Sequence, residues 1–249
     1  MSGVGAFYHS SLGKKVIMAL TGAVMVLFVV SHMAGNLKIF LGTDSLHGGY
    51  AIDVYAEHLR AIGEDILGRG NFLWLARIGL VLAVVLHVMA ALQLRAINVR
   101  AKPVNYHVNN YRSATLASRG MLWGGRLLFL FIVLHILHFT TGHVHLDGFV
   151  EGKVYANVYA AFQHWYWTAF YVAAMAGLGL HLYHGTWSML QTLGIDVPRW
   201  NCTLRLLAKV VAIGVFVGFV SVPLAIFAGV LPAPASGSVV AELPVSVSR

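Results

Sequence analysis

Four histidines, one inside each of the first four long apolar stretches, constrain this chain more than any other feature: His32, His87, His135 and His181. An imidazole in the middle of a membrane-length apolar run is costly unless its nitrogens find partners, so each is a candidate functional group. The stretches run roughly over residues 15–41, 71–97, 120–142, 162–190 and 204–231, five in all. Each supplies the ~20 residues a helix needs to cross a bilayer. The chain is 58% hydrophobic and 10% charged, with a mean hydropathy of +0.74. A soluble domain carries about 25% charged residues, so most of this surface is expected to face lipid. The expected fold is an all-α membrane protein. It comprises a short N-terminal segment (1–14), a five-helix transmembrane bundle (15–231) and a flexible tail (232–249) that opens on Pro232, Pro234, Ser236 and Gly237.

Orientation follows from the basic residues. Lys14 and Lys15 precede the first crossing, and the second connection holds Arg95, Arg100, Lys102, Arg112 and Arg119 with no acid. The fourth holds Arg199, Arg205 and Lys209 against Asp196. The first connection instead carries Asp44, Asp53, Glu57, Glu64 and Asp65 against Arg60 and Arg69, and the third has Asp147 and Glu151 against Lys153. By the positive-inside rule the N-terminus is cytoplasmic and the C-terminus lies outside. The first run starts after Lys14-Lys15, lacks an A-x-A-like site and continues for membrane length, so it reads as a crossing and not as a cleavable leader. The net charge of +8 is explained by these connections, without nucleic acid as a partner. The single cysteine, Cys202, excludes an internal disulfide and a Cys-ligated iron–sulfur cluster or Cys-rich zinc site within the chain.

The connections hold further patterns. Ile52, Tyr55, Leu59, Ile62 and Ile66 recur at helical spacing with charges between them, predicting an amphipathic helix that either lies flat on the outer interface as a lid or simply closes the top of the bundle. Residues 162–167, Phe-Gln-His-Trp-Tyr-Trp, read as an interfacial aromatic belt at the start of the fourth crossing.

Depth sorts the histidines. A helix rises 1.5 Å per residue. Lys15 to His32 is 17 residues, about 25 Å, and Arg119 to His135 is 16 residues, about 24 Å. His87 to Arg95 is 8 residues, about 12 Å, and His181 to Gln191 is 10, about 15 Å. His32 and His135 thus fall in an outer layer, His87 and His181 in an inner one, roughly 10 Å apart along the normal. Zinc wants four donors, or three and water, and no carboxylate or thiolate lies in a crossing to complete such a set. A macrocycle already supplies four nitrogens and needs two axial ligands. Imidazole suits iron, and bundle interiors are a usual cofactor site. Two b-type haems, each held by two histidines, are the economical reading. His138 and His184 each sit three residues after a proposed ligand on nearly the same face, so depth alone allows His138 in place of His135 and His184 in place of His181. Arg77 and Arg126, near the ends of the second and third crossings, are candidates to hold anionic propionates; Lys38 ends the first crossing and serves equally as an anchor.

These residues resemble a known family, the cytochrome b membrane-anchor subunits of succinate dehydrogenases and fumarate reductases, in particular the single-chain, five-helix, di-haem type. The likeness spans about residues 9 to 230. It rests on Ser11-Leu-Gly-Lys-Lys15, Met18-Ala-Leu-Thr21-Gly22, His32-Met-Ala-Gly-Asn36, Trp123-Gly-Gly125 ten residues before His135, and His181-Leu-Tyr-His-Gly185-Thr-Trp187. The resemblance selects His135 and His181 over their neighbours. It pairs His87 with His181 on the haem nearer an iron–sulfur subunit and His32 with His135 on the distal one. It further implies a flavoprotein subunit that oxidises succinate, an iron–sulfur subunit, a quinone (menaquinone by resemblance), and the inner cell membrane as location. Reverse flow makes a quinol-oxidising fumarate reductase. Some members carry a glutamate two residues before the fourth-crossing ligand for transmembrane proton movement; here that position is Gly179. Protonation of quinone then falls to Glu57, Glu64, Asp65, His138 or His143 as candidates. The competing expectations are a di-haem subunit of a hydrogenase or formate dehydrogenase, and a haem-free transporter or scaffold with structural histidines.

Overall fold

The computed structural model describes residues 3–101, 116–195 and 197–235. Lys102, Arg112 and Asp196, three of the charges used above to orient the chain, lie outside the described residues, as do tail residues 236–249. The elements in order are α1 (Gly3–His9), α2 (Ser11–Asn36) with a 3-10 turn (Leu37–Leu41), α3 (Ala51–Ala61), α4 (Glu64–Leu67), α5 (Asn71–Ala101), α6 (Leu116–Phe139), α7 (Val154–Gln163), α8 (Trp165–Thr192), a second 3-10 turn (Pro198–Trp200) and α9 (Asn201–Phe227). No strand occurs among the described residues; the one β-bridge pairs Thr43 with Tyr50.

Four helical stretches are long and apolar enough to cross a membrane: Ser11–Leu41, Asn71–Ala101, Gly120–Phe139 and Pro198–Phe227. They give the chain the character of a multi-pass membrane protein. The remaining expected crossing is α8, which at 28 residues is long enough and contains no charged side chain. It is less apolar than the others because it carries His181, His184, three tryptophans and several tyrosines. Those polar edges are affordable only against partners inside the bundle.

Packing is organised around α8, which lies against α9, α6 and α2, while α2 also packs on α5. Elsewhere the spans expose large apolar side chains, among them Leu27, Leu75, Leu130 and Ile213, as expected of surfaces facing hydrocarbon. At the N-terminal end, α1 folds back onto α2. Ser10 caps α2 by accepting the Gly13 N–H at 2.9 Å and donates its hydroxyl to the Phe7 carbonyl at 2.7 Å. A Cβ at Gly13 would fall on that same carbonyl, so this reversal requires glycine.

The opposite end is capped by the connections, and here the tightest core forms: Ile39, Ile52, Tyr155, Phe162, Tyr171, Val222, Ile226 and Leu231. The amphipathic stretch is present but divided. Gly63, at φ +72°, separates α3 from α4, and Ile66 is 86% exposed while Ile52 is buried. Tyr55 of α3 seats its ring where a Cβ on Gly35 would stand, 2.6 Å from Cε1. The aromatic stretch is likewise divided: α7 ends at Gln163, His164 is extended, and α8 starts at Trp165.

The start of the C-terminal tail is anchored on this cap. Tyr155 donates its hydroxyl to the Pro232 carbonyl at 2.8 Å, and Tyr50, stacked on Tyr155 at 3.7 Å, accepts the Ala235 N–H at 3.0 Å. The N-terminus of α7 is capped from α3: Asp53 accepts the Tyr155 N–H at 2.8 Å. Burial pushes the Asp53 carboxyl above its ordinary value, and the Tyr155 N–H offsets only part of that. A raised carboxyl pKa means the fold favours the neutral form, so this contribution to stability is lost as pH rises through the folded value. Replacing Asp53 with Ala is therefore expected to cost about 1 kcal/mol through the lost cap, seen as a lower unfolding temperature in detergent. Asp53→Asn keeps the acceptor without the buried charge and is expected to match or exceed the parent at neutral pH.

Candidate functional site

The four histidines meet in two pairs. His32 on α2 faces His135 on α6 with ring centroids 5.9 Å apart and planes at 80°. His87 on α5 faces His181 on α8 at 6.3 Å and 54°. The helices bearing each pair do not pack closely on each other: α2 rests on α5, α8 and α9, and α6 rests on α8. The paired rings therefore reach across the bundle. His138 and His184 stand outside these pairs. His138, wholly buried, is sandwiched between Phe139 and Trp167 at 4.2 Å each.

The surroundings of each ring follow from local sequence. His87 Nδ1 lies 3.1 Å from the Met18 carbonyl, which can only accept, so this nitrogen carries the proton and Nε2 is left bare. Thr21, whose hydroxyl donates to the Ile17 carbonyl at 2.7 Å, lies 3.2 Å from the same Nδ1. Glycines flank this pair. A Cβ on Gly22 would stand 3.5 Å from His87 Cε1, and one on Gly125 would stand 3.8 Å from His181 Cε1. The Nδ1 of His181 is buried without a hydrogen-bond partner in the protein. In the other pair, His32 stacks on Phe28 at 5.3 Å and meets Phe219 at 5.8 Å. His135 lies against Phe131, Phe139 and Tyr171, with Nδ1 3.3 Å from the Tyr171 hydroxyl.

Among the described residues no three His, Cys, Asp or Glu side chains gather as a metal-binding set. Each pair thus offers two imidazole nitrogens and no third protein donor. The arginines named from sequence both lie on tryptophan rings. Arg77 lies on the Trp74 ring at 4.9 Å and lines a cavity of about 270 Å³ with Arg60, Arg69, Trp74 and Glu151. Arg126, exposed, lies on the Trp123 ring at 4.7 Å. Glu57 pairs with Arg69, and Asp147 with His164 at 2.9 Å.

Two contributors were not singled out from sequence. Tyr171 touches both His135 and His138, and Met18 supplies the carbonyl that orients His87. A hydroxyl inside a long uncharged helix is itself a signal, because a buried phenol needs a partner; a backbone carbonyl leaves none. Comparison with protein-family models, with curated proteins and with solved structures returned no match.

Proposed function

We propose that this chain is the cytochrome b membrane anchor of a succinate:quinone oxidoreductase, with five spans, a cytoplasmic N-terminus and two haems b. The observation that carries the reading is the contact of His32 with His135 and of His87 with His181, on helices that otherwise stand apart. Imidazole nitrogen suits iron, and the rings of each pair, with centroids 5.9 and 6.3 Å apart, would hold one haem iron between them. Two nitrogens with no third protein donor suit a group that brings its own equatorial ligands. The flanking Gly22 and Gly125 keep side chains away from His87 and His181, as a flat group lying between them requires.

In this reading His87 and His181 hold one haem, and His32 and His135 the other; Arg77 and Arg126 remain propionate candidates. The two haems supply one-electron carriers between an iron–sulfur subunit and a quinone. The protein's part is orientation and insulation. The Met18 carbonyl fixes the His87 tautomer so that Nε2 is the bare nitrogen, free to bind iron. The fifth span is α8, whose loss of hydropathy is the cost of carrying His181 and Tyr171. The basic connections at the Lys14 end, including Arg95, Arg100, Arg199, Arg205 and Lys209, form the docking surface for the flavoprotein and iron–sulfur subunits, and menaquinone is the expected acceptor in the inner membrane.

The purified chain in detergent is expected to show a low-spin b-type spectrum with two haems per chain; a spectrum without a Soret band overturns the proposal. His87→Ala and His181→Ala should lose one haem, His32→Ala and His135→Ala the other, while His184→Ala keeps both. A separate check uses the glycines: Gly22→Leu or Gly125→Leu should remove the haem of the His87–His181 pair and spare its neighbour. Reversing the charges of Arg199, Arg205 and Lys209 should release the soluble subunits from membranes without changing the haem content.

A further inference from the structure

We infer that Tyr171 is the positioning residue for His135, at the head of a one-directional hydrogen-bond chain that leads through His138 and His145 to the backbone of the cap; the inference rests on the reading of His135 as an axial ligand. The Tyr171 hydroxyl lies 3.3 Å from His135 Nδ1 and 3.2 Å from His138 Nδ1. A phenol has one proton to donate, so the two imidazoles play opposite parts. A histidine that binds metal through Nε2 carries its proton on Nδ1 and donates it to a neighbour. His135 Nδ1–H therefore donates to the Tyr171 oxygen, and Tyr171 turns its O–H onto a bare His138 Nδ1.

A neutral His138 with a bare Nδ1 is protonated on Nε2. That atom belongs to a side chain with no exposure and has no partner within the protein. From the cap, His145 sets the complementary condition. Its Nε2 lies 2.9 Å from the Asn157 carbonyl, an atom that only accepts, so Nε2 carries the proton and Nδ1 is a bare acceptor. This Nδ1 is also buried and unpartnered. The tautomers, derived from opposite ends, thus leave one unmatched donor and one unmatched acceptor on rings whose centroids are 5.3 Å apart. One bridging water, accepting from His138 Nε2–H and donating to His145 Nδ1, would satisfy both. The indole Nε1 of Trp167, stacked on His138, is a further buried unpartnered donor in the same nest.

The far end is fixed. The Asn157 side chain accepts the Val150 N–H at 3.1 Å and donates to the Val150 carbonyl at 2.8 Å, tying the connection that carries His145 to α7. An acceptor on the outer nitrogen of a ligating histidine raises its basicity and locks its ring plane, which stabilises the oxidised metal. The two pairs are built differently in this respect: His87 leans on a backbone carbonyl, His135 on a side chain.

The test uses the full-length, haem-loaded chain. Tyr171→Phe keeps the ring and removes the hydroxyl. It should retain both haems, move one midpoint potential upward and change the low-spin electron paramagnetic resonance signal of that haem alone. The affected haem should be the one that His87→Ala leaves in place. His145→Gln, in the connection and away from the spans, should shift the same haem in the same direction by less, and keeps the test open should Tyr171→Phe fail to assemble. Unchanged potentials in the variants that assemble, or equal shifts of both haems, overturn the inference while leaving the two-haem reading intact. A parent chain without haem overturns both.

Discussion

An imidazole inside an apolar span has two nitrogens to satisfy, and water is not there to do it. Much of what is unusual in this structure follows from how that condition is met at the four rings: His87 and His135 have a partner on Nδ1, whereas His181 Nδ1 is buried without one in the protein. Each of the paired rings lies against another imidazole across the bundle. Where Nδ1 is served, it is from a neighbouring helix. For His87 the Met18 carbonyl does this, and for His135 the Tyr171 hydroxyl. A carbonyl already bonded within its helix has a second lone pair to offer, so α2 keeps its own ladder while orienting a ring on α5. The cost of polar groups in hydrocarbon is spread over neighbours that were needed for packing in any case.

That condition also explains the uneven character of the helices. α5 and α9 are strongly apolar, whereas α8 must satisfy neighbours on α2, α6 and α9 at once. It accordingly gives up hydropathy for His181, Tyr171 and Thr168. It still carries no charge, because a charge there would lack a counter-ion. The tight core lies at the capped end, where α3, α7 and the start of the tail close over the bundle. Towards the Lys14 end the helices diverge in what they touch, and α6 has no buried residue between Gly120 and Leu137. The cap therefore holds the geometry, with Asp53 on Tyr155 and Tyr50 against Tyr155 as its pins.

How much of this was legible in the sequence depends on the range over which each signal acts. Rise per residue from a charged marker is a one-dimensional measure, and it grouped His32 with His135 and His87 with His181, the rings that meet. The choice between His135 and His138 needed more. Residues three apart share a face, and what separates them is the pair of rings, Phe139 and Trp167, that enclose His138. Trp167 comes from another helix, so no local pattern reports it. The division of the amphipathic stretch at Gly63 was masked by apolar residues that keep helical spacing on both sides. The break at His164 was hidden in the same way by an aromatic run. Tyr171 and Asp53 act over separations of 36 and 102 residues. Each looks ordinary where it stands in the chain.

The contrast between the two pairs bears on how such a bundle can be tuned. A ring held by a backbone carbonyl has a partner that substitution cannot remove, so the His87 ring is fixed once α2 and α5 are packed. A ring held by a side chain inherits whatever that side chain is bonded to next. For His135 that side chain is Tyr171, whose hydroxyl also lies against His138, and the proposed chain continues from there toward a connection that is itself tied by Asn157. Hydrogen bonds in series polarise one another, and in a low-dielectric interior the effect reaches further than in water. In the proposed reading, the pair nearer the cap is the one whose haem would feel the cap's conformation, while the other would be insulated from it. Two otherwise similar imidazole pairs in one bundle acquire different environments from nothing more than the kind of acceptor behind each ring.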